Sequence, residues 1–153
     1  MTFVRHLVAE RLRDKLAALS SLDGVAVIRE PRDVEEQEQI LIGRSEGNWR
    51  IKSFKPGSIE DRWTVVIELS SFVPGATQAE AEARIDELAS IILDALMADP
   101  GLTDPTPITD LIGLDGGGDN PEPYKGPWSG QLPSADGMGA TGSLSIPFRA
   151  RHC

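Results

Sequence analysis

The sequence predicts an α+β fold: a mainly antiparallel sheet of about four or five strands packed against two amphipathic helices, with a long Gly/Pro-rich loop before the C-terminal strand. Three observations predict it. Two segments, near the start and the middle of the chain, carry apolar side chains at helical spacing. Short β-branched runs lie between them. The chain then closes on Ala140 to Arg151, where an apolar face (Ala140, Gly142, Leu144, Ile146, Phe148, Ala150) alternates with a polar one, the pattern of a half-buried strand.

The first helix is predicted over residues 3 to 20, where Phe3, Leu7, Val8, Leu12, Leu16 and Leu19 form one stripe and Arg5, Glu10, Arg13 and Asp14 occupy the rest. Asp23-Gly24 supplies the turn that ends it. Val25 to Ile28 is the first strand, stopped at Pro31 and followed by an acidic turn at Glu35, Glu36 and Glu38. Ile40 to Ile42 reads as a second strand closed by Gly43, and Trp49 to Lys52 as a third that ends before a Pro56-Gly57 turn. In a fourth, Trp63, Val65, Ile67 and Leu69 share one face. After Pro74-Gly75, Thr77 and Glu80 have the spacing of a capping box, so the second helix starts at Gln78. Its buried stripe is Ala81, Ile85, Leu88, Ala89, Ile92 and Leu96, and it ends near Asp99-Pro100.

Residues 98 to 139 contain seven prolines and nine glycines, a density that predicts an extended, mobile arm with one docking turn around Ile108 to Leu114. Pro147 has no amide donor, so the terminal strand is expected to have an unpaired side there or to lie at an edge. At 153 residues the chain is expected to form a single domain, residues 1 to 153.

Composition narrows the function classes. No run of eighteen apolar residues exists, and charges interrupt the N-terminal segment, so neither a membrane span nor a signal peptide is predicted. Cys153 is the single cysteine, which excludes an intrachain disulfide and fits a reducing compartment. The net charge of −9 is uneven: residues 1 to 62 carry eleven basic and eleven acidic side chains, residues 63 to 153 four and thirteen. Surplus acid argues against a protein that grips phosphate backbones.

Catalytic chemistry finds no foothold. His6, in the first helix, and His152 are the only imidazoles, and neither has a nucleophile or base at a useful spacing. His152-Cys153 at a chain end offers no rigid metal cage. Asp115 to Asp119, followed by Glu122, lacks the ligand spacing of a calcium loop. No phosphate-binding glycine loop occurs. The reading is a non-enzyme without cofactor or metal.

Two groups of residues stand out as contact candidates. Arg44, Arg50, Lys52, Lys55 and Arg62 form a basic island interleaved with Trp49 and Phe54. It suits a head-to-tail contact with an acidic part of a second copy, and less well a nucleic acid or bare solvent. Tyr124 and Trp128 lie within the proline-rich segment, either as anchors for a partner or folded back on their own domain.

The order of elements resembles the tail-terminator proteins of long-tailed bacteriophages. The likeness rests on the strand Arg62-Trp63-Thr64-Val65-Val66-Ile67-Glu68, the helix that runs into Asp99-Pro100-Gly101-Leu102, and the closing strand Phe148-Arg149-Ala150-Arg151. The 98–139 segment departs from that pattern, being longer and richer in glycine and proline. The resemblance implies a subunit of a hexameric ring on the last ring of tail-tube protein, halting tube growth and presenting a surface to the head-tail connector. It implies assembly in the host cytoplasm, a place at the tail-head junction, and DNA that passes through without specific binding. The interface residues would then be Trp49, Arg50, Lys52, Phe54, Lys55, Arg62, Arg149 and Arg151, with Tyr124 and Trp128 as loop anchors. The alternatives are a neck or head-completion connector, a small intracellular ligand-binding domain or enzyme, and a host-directed module built on Tyr124 and Trp128.

Overall fold

The computed structural model describes residues 2–30, 37–116, 124–131 and 137–153. The acidic turn at Glu35 and Glu36 lies outside them, as do Asp119 to Glu122, Pro123 and Pro133. The elements follow as α1 (Arg5–Ala17), a 3-10 turn (Ser20–Leu22), β1 (Ala26–Ile28), β2 (Glu38–Phe54), β3 (Gly57–Ser71), α2 (Gln78–Ala98), β4 (Leu111–Leu114), β5 (Tyr124–Gln131) and β6 (Met138–His152). The strands form one sheet in the order β1-β2-β3-β6-β4, and β5 also pairs with β6. Only β1 and β2 run parallel; the other pairs are antiparallel. The fold is α+β.

Alternation along β3 and β6 decides which face is covered. Trp63, Val65, Ile67 and Leu69 point to the same side as their cross-strand partners Phe148, Ile146, Leu144 and Gly142. All except Gly142 join the buried core with Val8, Leu12 and Leu16 of α1 and with Ile85, Leu88, Ile92 and Leu96 of α2. Both helices therefore cover one face of the sheet, and the other face is polar.

α2 follows its sequence signals. Thr77 Oγ1 accepts from the Glu80 amide at 3.2 Å, and its hydroxyl donates to Glu80 Oε1 at 3.0 Å, which satisfies one orphan donor of the first turn. α1 is shorter than its apolar stripe predicts and has no side-chain cap, because Val4 precedes it. Polar ties fix the layers to each other. Arg84 donates twice to Glu38 of β2 (2.6 and 3.1 Å), and Arg11 of α1 donates to the carbonyls of Leu102, Asp104 and Thr106 (2.8, 3.1 and 2.6 Å).

Three expectations change. The strands predicted at Ile40 to Ile42 and Trp49 to Lys52 are one strand, β2. Gly43 and Gly47 lie within it: a Cβ on Gly47 would sit 2.1 Å from the Arg62 carbonyl oxygen and 2.4 Å from Trp63 Cα, so glycine permits close approach there and marks no break. Next, the segment expected as an arm contains β4 and β5, both paired with β6. Gly113, at φ +125°, brings β4 against the end of α2, where the Leu114 amide donates to the Pro100 carbonyl at 2.9 Å. Finally, β6 is a central strand and not an edge, while the other expectation for Pro147, an unpaired side, is met. Its carbonyl accepts from the Asp115 amide at 2.9 Å, so its nitrogen, on the same side, faces the gap between β4 and β5, where the ladder requires no donor.

The exit of α2 carries an acid-sensitive cap. The amide of Thr103 donates to Asp99 at 3.1 Å, joined by the Thr103 hydroxyl (2.8 Å), the Asp104 amide (3.2 Å) and Lys15 (3.4 Å). The Thr103 amide leads in lowering the Asp99 pKa to about 2, against the opposing effect of burial. A depressed carboxylate pKa contributes stability that is present above about pH 4 and is lost as pH falls toward 2. Asp99→Asn is expected to be less stable at neutral pH and to lose less stability than wild type between pH 4 and 2, read from urea midpoints across that range.

Candidate assembly surface

β2 and β3 make a hairpin that outruns the helices. β2 alone, at about 3.3 Å per residue, extends roughly 50 Å. Its residues are buried at Ile40 and Ile42, but past a register shift between Ile42 and Ser45 they become exposed. The pairing puts Trp49 opposite Asp61 and Ile51 opposite Ile59, so these apolar side chains continue the core face of the sheet where no helix covers it. Trp49 is 54% exposed, and Phe54, beside the turn, 82%. Such surface is costly in water unless a partner covers it.

The base of this hairpin is held by a buried ion pair. Arg5 of α1 donates through Nε (2.8 Å) and Nη2 (2.6 Å) to the fully buried Asp61 carboxylate, and its guanidinium lies 5.8 Å from the Trp63 ring centroid. The bidentate geometry fixes α1 against β3 just where the apolar face leaves the core.

The opposite face of the hairpin is charged. Cross-strand register aligns Arg50, Glu60 and Arg151 in one row, and Asn48, Arg62 and Arg149 in the next. Glu60 collects Arg62 at 2.8 Å, Arg50 at 3.2 Å and Lys52 at 3.3 Å, and Asp115 lies 3.6 Å from Arg62. Burial disfavours the Glu60 anion, but bonds from Lys52 and Arg62 outweigh it and hold the carboxyl below its ordinary range. A cleft of about 410 Å³ opens here, with Glu46, Asn48, Arg50, Glu60, Arg62 and Asp115 among its lining.

Of the residues singled out in sequence, Arg50, Lys52, Arg62, Arg149 and Arg151 therefore meet on one face. Trp49 lies on the reverse of the same hairpin, and Phe54 and Lys55 lie at its tip. Tyr124 and Trp128 belong to β5, toward the other end of β6. The Tyr124 hydroxyl donates to Asp86 of α2 at 2.6 Å, and burial together with that carboxylate raises its pKa. Trp128 stays 53% exposed, opposite Thr141. His6 is exposed, whereas His152 is fully buried, with Nδ1 3.2 Å from Asp110 and its ring edge-on to Phe3. Among the described residues no three His, Cys, Asp or Glu side chains gather as a metal site.

Sequence reading missed Glu60 and Asp115 as the carboxylates that organise the patch, and Ile51 as part of the apolar face. Continuing the Trp63 strand back to Gly57 reveals Glu60 on the same side as Arg62.

No family model matches the sequence, and no curated protein does. Among solved structures the chain is similar to a protein of the virion of a native gene transfer agent particle. The TM-score is 0.60 and the identity 18%, over 95% of this chain and 95% of that one. At that identity the likeness establishes a common fold.

Proposed function

We infer that this chain is a structural protein of a phage-like virion, and that it caps the tail tube as a ring, hexameric in the simplest case. In that role it stops tube polymerisation and offers the surface on which the head connector docks. The observation that carries the reading is the end-to-end likeness to a gene transfer agent virion protein. Support comes from the hairpin, which presents uncovered apolar side chains on one face and charge on the other. That combination suits docking by shape and charge, and a ring needs heterologous contacts of this kind. In this role the protein is a single assembly unit that transforms no substrate and holds no cofactor.

In this account Trp49, Ile51 and Phe54 are the apolar anchors that seat on the tube, rimmed by Lys52 and Lys55. A buried aromatic removes about 150–250 Å² from water, so two of them supply several kcal/mol of contact energy. Trp49→Ser with Phe54→Ser is expected to leave the folded state within about 1 kcal/mol of wild type, because both side chains are exposed in the subunit. The same variant is expected to lose its place on purified headless tails, followed by immunogold labelling of tail ends. Wild-type label on heads but never on headless tails would favour a neck protein instead.

A further inference from the structure

The open face of the hairpin and the outer face of α2 carry opposite charge. On the open face of the sheet, Arg50, Lys52, Arg62, Arg149 and Arg151 gather around Glu60 and Asp115, and Glu46 at the rim of the cleft is paired with Arg44. Arg62 and Arg149 stand directly opposite each other on neighbouring strands, a like-charge pairing that is unfavourable in the isolated subunit. Arg149 Nε is buried and makes no hydrogen bond. Glu60 is already shared among three cations, so the patch retains an excess of positive charge in a chain whose net charge is −9.

The solvent face of α2 has the opposite character. Glu80, Glu87 and Asp94 recur every seven residues and are exposed, with the small residues Ala83 and Ser90 between them. The one cation on this helix, Arg84, is committed to Glu38 and Glu87. Seven residues rise about 10.5 Å along a helix. Arg50 and Arg151 flank Glu60 two strands apart, roughly 10 Å at about 4.8 Å per strand. That separation is close to one seven-residue step of the helix.

We propose that the cationic open face of the sheet docks against the acidic outer face of α2 in a second copy of this chain, forming the repeating contact of the ring. This contact rests on the reading of the chain as a ring-forming virion protein. Helix layer and sheet layer lie on opposite sides of the subunit, so each copy uses both surfaces at once and the contact is heterologous, as a ring demands. The neighbour's carboxylates relieve the Arg62–Arg149 repulsion. Nucleic acid is the weaker occupant, since the acid carried by the rest of the chain repels phosphate while a matched acidic face is built into every copy.

The test uses two full-length variants, Arg149→Glu with Arg151→Glu on the sheet and Glu87→Lys with Asp94→Lys on the helix. Each is crosslinked in the presence of purified tail tubes and resolved as a ladder of subunits, and thermal melts establish that each is folded. Each variant alone is expected to need at least about a hundredfold more protein than wild type for half-assembly. An equimolar mixture is expected to restore the ladder, because reversed sheet then meets reversed helix. Folded variants that each assemble as wild type, or a mixture that stays unassembled, would overturn the contact. So would a sheet variant that assembles normally but loses salt-sensitive binding to duplex DNA. If the mixture is restored while tails keep their length without the protein, the contact holds and the terminator reading falls. If the variants assemble unhindered while tails overgrow without the protein, the terminator reading holds and this contact falls.

Discussion

Phe148→Ala is expected to lower the stability of the fold by about 3–5 kcal/mol, the range for truncating a fully buried aromatic. Phe148 has no exposed surface and stacks on Trp63, ring centroids 5.9 Å apart at 26°. It stands at the centre of the sheet, between Trp63 of β3 and Leu114 of β4. Backbone pairing on both flanks keeps the strands from closing on the space left behind, so the lost transfer energy is accompanied by a residual cavity. Domains of this size are stable by about 5–15 kcal/mol, and the change therefore consumes a large fraction of the total. Urea denaturation followed by tryptophan fluorescence measures it as a lower midpoint at unchanged slope. A cost below about 1 kcal/mol would mean that the core collapses around the site.

Asp61→Ala is the second large effect, at about 3 kcal/mol. Asp61 is fully buried and receives both arms of Arg5. Removing it strands a guanidinium against Trp63 with its donors unanswered. The Arg5 side chain is 26% exposed, so water reaches part of it and holds the cost at the low end for a broken buried pair. Replacing both partners by apolar residues, Arg5→Met with Asp61→Leu, is expected to recover most of the loss, because no charge is then left unpaired. A double-mutant cycle in urea reads the coupling. Additive losses in the two single variants would show that the ion pair does not fix α1 to the hairpin base.

The sequence made the helices and the central strands legible because their signals are local. Thr77 and Glu80 mark the start of α2, and the alternation from Trp63 to Leu69 marks one face of β3. β5 was hidden. Pro127 sits in it at a register shift between Lys125 and Trp128, with Gly126 at φ +112°, so the residues that read as breakers form a bulge within a paired strand. β4 was hidden by its length, four residues whose pairing depends on β6 and on the end of α2. Gly43 and Gly47 looked like punctuation because their reason is tertiary, the close approach of β3. The basic island was visible as composition. Its convergence on Glu60 was not, since that depends on the register of β2 against β3, and Arg149 and Arg151 join the same face only through the register of β6.

That register also gives the molecule two unlike surfaces at one end, apolar at Trp49 and Ile51 and cationic at Arg62 and Arg149. In the proposed role, one would face the tube and the other the neighbouring copy. The most direct measurement is the length distribution of tails in particles assembled without this protein, taken by electron microscopy. The account predicts tails that overgrow to irregular lengths and fail to join heads. Tails of normal, uniform length would contradict it.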